Sequence, residues 1–176
     1  MIMYFLRHAN AGERVNNPKK DEKRALDEAG IEQCGVVGRA LAALDVQVDV
    51  MISSPLKRAA QTASLVGNEL SYEGKLQFDA GLRPAASFAD FRKLIDKYAK
   101  YEAVMVVGHN PNLSEFLGRI ISDGACEAAV ELKKGAVARV EVGRNSAFVQ
   151  WLLTPKLLRT LQASAAESSR PKSSRK

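Results

Sequence analysis

Ile2-Met3-Tyr4-Phe5-Leu6, followed by Arg7-His8-Ala9-Asn10-Ala11-Gly12, is the stretch on which the reading of this chain turns. An apolar run long enough for one buried strand stops on a cation and an imidazole and then enters loop residues. The only other histidine, His109, stands in the same setting, because Val104-Met105-Val106-Val107 leads into Gly108-His109-Asn110-Pro111. Both histidines of the 176-residue chain therefore close β-type runs. Convergence on one site is the expectation.

Outward from these two ends, the chain alternates strand and helix signals. Glu13 to Arg24 is polar and contains Asn16-Asn17-Pro18, which predicts an exposed loop. Asp27 predicts an N-cap for a helix ending near Leu44, with Ile31, Cys34, Val37, Leu41 and Leu44 at spacings of three and four. Val46 to Ile52 has strand composition. A helix over Leu56–Leu70 follows Pro55, with Ala59, Ala63, Val66 and Leu70 as its apolar stripe. Lys75–Phe78 is a weaker strand signal, Gly81–Ser87 a loop, and Phe88–Tyr98 a helix with Phe91, Leu94 and Ile95 facing inward. Ala103–Val107 is a buried-type strand. Pro111 starts a helix carrying Leu113, Phe116, Leu117, Ile120 and Ile121, with Gly124 in the loop beyond. Ala136–Val142 and Ala147–Leu153, joined by Gly143-Arg144-Asn145-Ser146, predict an antiparallel hairpin before a last helix from Pro155 to about Ala165. This order predicts a three-layer α/β/α domain whose central sheet is mostly parallel with one antiparallel hairpin.

Composition limits what such a domain can do. A 46% hydrophobic and 26% charged chain is ordinary for a globular protein, and no apolar run approaches the ~20 residues of a membrane span. No signal-peptide layout is present, so a cytoplasmic location is expected. Cys34 and Cys126 lack disulfide-framework and metal-ligand spacing, and reduced thiols are expected. Of the net charge of +6, residues 164–176 contribute +3. We expect one domain over 1–163 and a disordered basic, Ser-rich tail over 164–176. Without stacking aromatics, this tail reads as a solvated end in preference to a nucleic-acid contact.

In parallel sheets ligands bind outside the carboxyl ends of the strands. Three such ends here carry Arg7-His8, Ser53-Ser54-Pro55-Leu56-Lys57-Arg58 and Gly108-His109-Asn110. Two guanidiniums, two imidazoles and loop amides, with no carboxylate cluster, suit a tetrahedral anion such as inorganic phosphate. Two histidines without a carboxylate nearby make a poor metal site, so no metal or other cofactor is expected. Asn10, Ser54 and Asn110 are the adjoining loop residues expected to contact substrate.

Leu6-Arg7-His8-Ala9, Ser53-Ser54-Pro55-Leu56-Lys57-Arg58-Ala59-Ala60-Gln61-Thr62-Ala63 and Val107-Gly108-His109-Asn110-Pro111 resemble the three blocks of the phosphoglycerate mutase-like histidine phosphatase superfamily, and most closely its SixA-type phosphohistidine phosphatase branch. The resemblance extends over roughly residues 1–158, including Leu26-Asp27-Glu28-Ala29-Gly30. It implies that His8 attacks phosphorus and becomes a phosphohistidine that water then hydrolyses, while Arg7, Arg58 and His109 clamp the phosphoryl oxygens. It also implies a phosphorylated phosphocarrier or phosphorelay protein as the partner, and a place in signal transduction.

Two positions depart from the superfamily pattern. Ala9 replaces the usual glycine, and Pro84 stands where many esterases and mutases carry their proton-donating acid. Asp79 is the fallback donor. Without a donor, expulsion of an alkoxide slows by roughly 10²–10⁴-fold, whereas an imidazole leaves readily. The expected function is hydrolysis of phosphohistidine on a protein. A small-molecule phosphomonoesterase of the same superfamily and a phosphate-binding adaptor without turnover are the alternatives.

Overall fold

The computed structural model describes residues 1–14, 16–122, 128–144 and 146–168. Gly124, Cys126, Asn145 in the hairpin turn and the tail beyond Ser168 lie outside the described residues. The chain runs β1 (Ile2–Arg7), α1 (Pro18–Glu22), α2 (Glu28–Ala43), β2 (Val50–Ser53), α3 (Lys57–Glu69), β3 (Gln77–Phe78), a 3-10 turn (Ala80–Leu82), α4 (Phe88–Tyr98), β4 (Ala103–Gly108), α5 (Asn112–Ile121), β5 (Val137–Val142), β6 (Ala147–Leu153) and α6 (Pro155–Ser168).

Alternation along β1 sets the layers. Successive strand side chains face opposite sides of a sheet, and here both sides are buried. Tyr4 and Leu6 join Cys34, Val37 and Leu41 of α2, Ala59, Ala63 and Val66 of α3 and Leu158 of α6 in one core. Met3 and Phe5 join Phe91 and Leu94 of α4 and Leu113, Phe116 and Leu117 of α5 in the other. The sheet order is β3-β2-β4-β1-β5-β6. β3, β2, β4 and β1 are parallel, and β5 runs against both β1 and β6. The three-layer, mostly parallel arrangement expected from the sequence is therefore the observed one.

Register places the site. Arg7 lies opposite Gly108, and Ser53 lies opposite Val107. The ladder continues one step further through His8 N to Gly108 O at 3.0 Å and Ser54 N to Val107 O at 2.9 Å. β2, β4 and β1 are neighbours, so their carboxyl ends form one continuous rim at the middle of the sheet.

Several expectations need correction. Within the segment read as loop, Pro18–Glu22 is helical, started by Asn17, whose side chain accepts from Lys20 N. β2 begins at Val50, not Val46, because the Asp49 carboxylate accepts from Glu102 N and Ala103 N and closes the end of the ladder. Ile31 on α2 and Leu44 just past its end lie exposed, and the buried face of the helix is centred on Cys34, Val37, Gly38 and Leu41. α6 continues to Ser168, so the boundary read at 163/164 falls inside a helix. Ala163, Ala165 and Ala166 favour that continuation. No helix among the described residues is long and apolar enough to cross a membrane.

Candidate active site

His8 is held in a defined state. Its Nδ1 lies 2.7 Å from the carbonyl oxygen of Ala9, and a carbonyl can only accept. In the neutral ring the proton therefore sits on Nδ1, and Nε2 keeps its lone pair. Burial is the main force pulling the His8 pKa down to about 3, and Arg58, Arg7 and Arg24 add to it against the opposing Ala9 hydrogen bond. The loop behind His8 is tied to the helix that carries Arg58. Ala9 N donates to Thr62 Oγ1 at 3.1 Å, and that hydroxyl donates to the Arg58 carbonyl at 2.7 Å.

Asn10 anchors the same loop. Its N donates to Gln33 Oε1, its Nδ2 donates to Asp27 Oδ2 at 2.7 Å, and its Oδ1 accepts from Lys134 at 2.6 Å. Asp27 also caps α2 through Gly30 N, and a Cβ at Gly30 would stand 2.0 Å from the Asn10 carbonyl oxygen. The glycine that ends Leu26-Asp27-Glu28-Ala29-Gly30 is thus required by the close approach of helix and loop. Gly30→Ala should lower the free energy of unfolding by about 3 kcal/mol, the upper part of the overpacking range, as read from urea denaturation midpoints.

Arg7 and Arg58 flank the imidazoles. Arg7 Nη1 donates to the Leu132 carbonyl at 2.8 Å, an oxygen that also accepts from Asn110 Nδ2 at 2.9 Å. Arg58 Nη1 reaches the main-chain oxygen of Asp21 at 2.9 Å and Asp21 Oδ2 at 3.2 Å. Asp21 in turn bridges to Arg24 Nε at 2.8 Å, and Arg24 donates to the Ala11 carbonyl. α1 buries none of its residues, so it is these ion pairs that dock it over Arg58.

His109 completes the cluster. Its ring centroid lies 5.0 Å from that of His8, and its Nε2 is 2.9 Å from Ser54 Oγ. Burial, then His8 and Arg58, depress its pKa to about 2, so this ring is neutral as well. Among the described residues, the buried side-chain polar atoms without a hydrogen-bond partner are Arg7 Nε, Arg58 Nε, His109 Nδ1 and Asn110 Oδ1. Buried polar groups are nearly always paired, and here all four exceptions gather at one rim. Guanidinium Nε–H groups and an imidazole nitrogen are the partners a phosphoryl oxygen seeks.

Arg7, His8, Arg58, His109, Ser54 and Asn110, all read from the sequence, are therefore brought together, while Asn10 is committed to the supporting loop. Asp79 is committed elsewhere: its Oδ1 caps the 3-10 turn at Gly81 N, 2.9 Å away, and its Oδ2 pairs with Lys97 at 3.3 Å. It lines a groove along α4 with Arg83, Lys93 and Lys97, and neither histidine lines that groove. Sequence reading missed Asp21, Thr62 and the Leu132 carbonyl. A main-chain oxygen carries no residue signature, but the acidic Asp21 three residues before Arg24 was a signal available for docking. Cys34 is buried, and burial raises its thiol to about 11, which makes it a packing residue.

Two buried neutral histidines make stability pH-dependent. Unfolded histidines take up protons below about pH 6.5, whereas the native rings resist protonation down to about 3 and about 2. Stability contributed by the neutral rings is thus present above pH 6.5 and lost as pH falls toward those values. In phosphate-free buffer, unfolding free energy should drop by about 3–4 kcal/mol between pH 7 and pH 5, and His8→Asn should roughly halve that drop. Urea midpoints at the two pH values measure it.

Residues 3–88 match the family model described as histidine phosphatase superfamily (branch 1). An uncharacterized protein of Picosynechococcus sp. is 30% identical over 146 residues, 81% of this chain and 86% of that protein. The mitochondrial serine/threonine-protein phosphatase Pgam5 of Drosophila pseudoobscura pseudoobscura is 37% identical over 83 residues, but the chain spans only 28% of its length and the match 47% of this chain. Among solved structures, the protein histidine phosphatase SixA complexed with tungstate superposes with a TM-score of 0.76 at 21% identity, covering 90% of this chain and 99% of that one. The putative phosphohistidine phosphatase SixA from Agrobacterium tumefaciens gives 0.75 at 24%, over 88% and 97%. At these identities the structural likeness is one of fold.

Proposed function

Because the chain belongs to the histidine phosphatase superfamily, we propose that it hydrolyses phosphohistidine on a partner protein through a covalent intermediate on His8. The Nε2 lone pair of His8 attacks phosphorus, the bond from phosphorus to the substrate imidazole breaks, and its electron pair returns to that ring, which leaves as a neutral imidazole because its other nitrogen already carries a proton. Water then attacks phosphorus, His8 Nε2 leaves, and inorganic phosphate is released. Arg7, Arg58 and His109 hold the equatorial oxygens, and the two guanidiniums neutralise their charge through the transfer. No step calls for a metal ion. The activity belongs to the single unit read over residues 1–163, with α6 carrying it to Ser168.

The observation that carries this reading is the state of His8: buried, neutral and with Nδ1 committed to Ala9, so that Nε2 is the nucleophilic atom. Preference for a phosphorus–nitrogen bond is supported by Asp79, whose carboxylate is engaged by Gly81 and Lys97 and not spent on a leaving group. An imidazole needs no such donor, while an alkoxide does. Rates on a phosphohistidine peptide and on a simple alkyl phosphate provide the test. We expect kcat/KM to favour phosphohistidine by at least about 10²-fold. Preference for the ester would overturn the reading and leave a small-molecule phosphomonoesterase.

A further inference from the structure

We propose that Ser54 is a positioning residue: by donating its hydroxyl proton to His109 Nε2 it fixes the His109 proton on Nδ1, so that His109 meets the phosphoryl group as a neutral N–H donor. The assignment of that role rests on the phosphatase reading above; the tautomer itself does not.

Ser54 is fully buried, and its Oγ lies 2.9 Å from His109 Nε2. Leu56 N–H, which can only donate, points at the same Oγ in a long 3.4 Å contact. The neighbouring Ser53 hydroxyl donates to the Ser54 carbonyl at 2.9 Å and so takes nothing from the Ser54 side chain. Among these contacts His109 Nε2 is the one acceptor for the Ser54 hydroxyl proton. If the ring proton sat on Nε2 instead, the hydroxyl would be a buried donor without an acceptor, and Nδ1 would present a lone pair to the site. A lone pair facing a phosphoryl oxygen repels it. An N–H there attracts it, and among the described residues His109 Nδ1 has no protein partner to compete.

The two rings, 5.0 Å apart, are then the same tautomer turned opposite ways. His8 spends its Nδ1–H on Ala9 and presents a lone pair; His109 spends its Nε2 lone pair on Ser54 and presents a proton. Two chemically identical side chains acquire the roles of nucleophile and hydrogen-bond donor from one carbonyl and one hydroxyl.

Nitrogen-15 labelling of histidine reads this directly, because the chain has two histidines and His8→Asn leaves the ring nitrogens of His109 alone in the spectrum. In phosphate-free wild-type protein near pH 7, His109 should show a protonated Nδ1 and a bare Nε2. In Ser54→Ala that single pattern should be lost while the His8 signals stay, and affinity for tungstate or inorganic phosphate should fall about three- to tenfold. A purely structural serine would lower the melting temperature without changing the tautomer. A proton on Nε2 of His109 in the wild type, or a Ser54→Ala variant with unchanged tautomer and unchanged anion affinity, would overturn the proposal. Should Ser54→Ala not fold, the wild-type spectrum alone decides. A wild-type chain with the expected tautomer that takes up no phosphoryl group overturns the phosphatase reading and upholds the assignment at His109.

Discussion

His8→Ala will form no phosphoenzyme. Incubated with a radiolabelled phosphoryl donor and quenched, the wild-type chain should retain a label that is lost in acid and survives base, as expected of a phosphorus–nitrogen bond. The variant should retain none, and its turnover should fall by at least about 10⁴-fold, since removal of a nucleophile leaves only binding and charge stabilisation. The effect should be this large because, among the described residues, no other side chain at the rim offers a free nucleophile. The neighbouring imidazole of His109 is committed to Ser54 through Nε2, and Ser54 and Ser53 spend their hydroxyls on His109 and on the Ser54 carbonyl. His8→Asn serves as the control for packing, because it keeps a polar side chain at the site. Label persisting in either variant would mean that another residue is the nucleophile.

Arg58→Ala should lose about 10³-fold in kcat/KM, and more than a missing clamp explains. The guanidinium is nearly buried and lies against the Asp21 carboxylate, which it would hold together with the anion of the proposed reaction. Removing it deletes a cation and also leaves Asp21 as a negative neighbour for an incoming phosphoryl group, partly balanced by Arg24. A like charge held near a bound anion opposes it. The double variant Arg58→Ala, Asp21→Asn should therefore recover about tenfold over Arg58→Ala alone, a non-additivity that only neighbouring groups show. Kinetics of the two single variants and the double variant complete the cycle. If the double variant is no faster than Arg58→Ala, Asp21 contributes only to docking α1.

Much of this arrangement was legible in the residues, and the parts that were not share a cause. β1, β4 and α4 could be read because their patterns are local: apolar runs of strand length, and an amphipathic turn sequence begun by Ser87, which forms a capping box with Asp90. The strand ends carried Arg7, His8, Arg58 and His109 as side chains with distinctive chemistry. α1 escaped because it has no apolar face; its position is fixed by ion pairs to Arg58 and from Glu22 to Arg83, which only the folded chain brings together. The start of β2 escaped because Asp49 closes the ladder from its side chain, a tertiary contact inside a run of good strand composition. Ile31 and Leu44 keep helical spacing yet lie at the two ends of α2, beyond the width of its buried face. The Leu132 carbonyl and the orientation of the Ser54 hydroxyl concern main-chain atoms and protons, which residue identity does not encode.

The strand ends that meet at the rim come from distant parts of the chain. Arg7 is held by a carbonyl 125 positions away, His109 by a serine 55 positions away, and the His8 loop by a threonine 53 positions away. Loops of that length must close before any of these contacts rewards the closure, which slows folding and couples the contacts to one another. This cluster thus has no local precursor: a growing chain on the ribosome holds His8 long before Ser54, Thr62, His109 and Leu132 exist. Competence to accept a phosphoryl group should return on refolding together with the native sheet and never ahead of it, which makes that chemistry a counter of fully folded molecules.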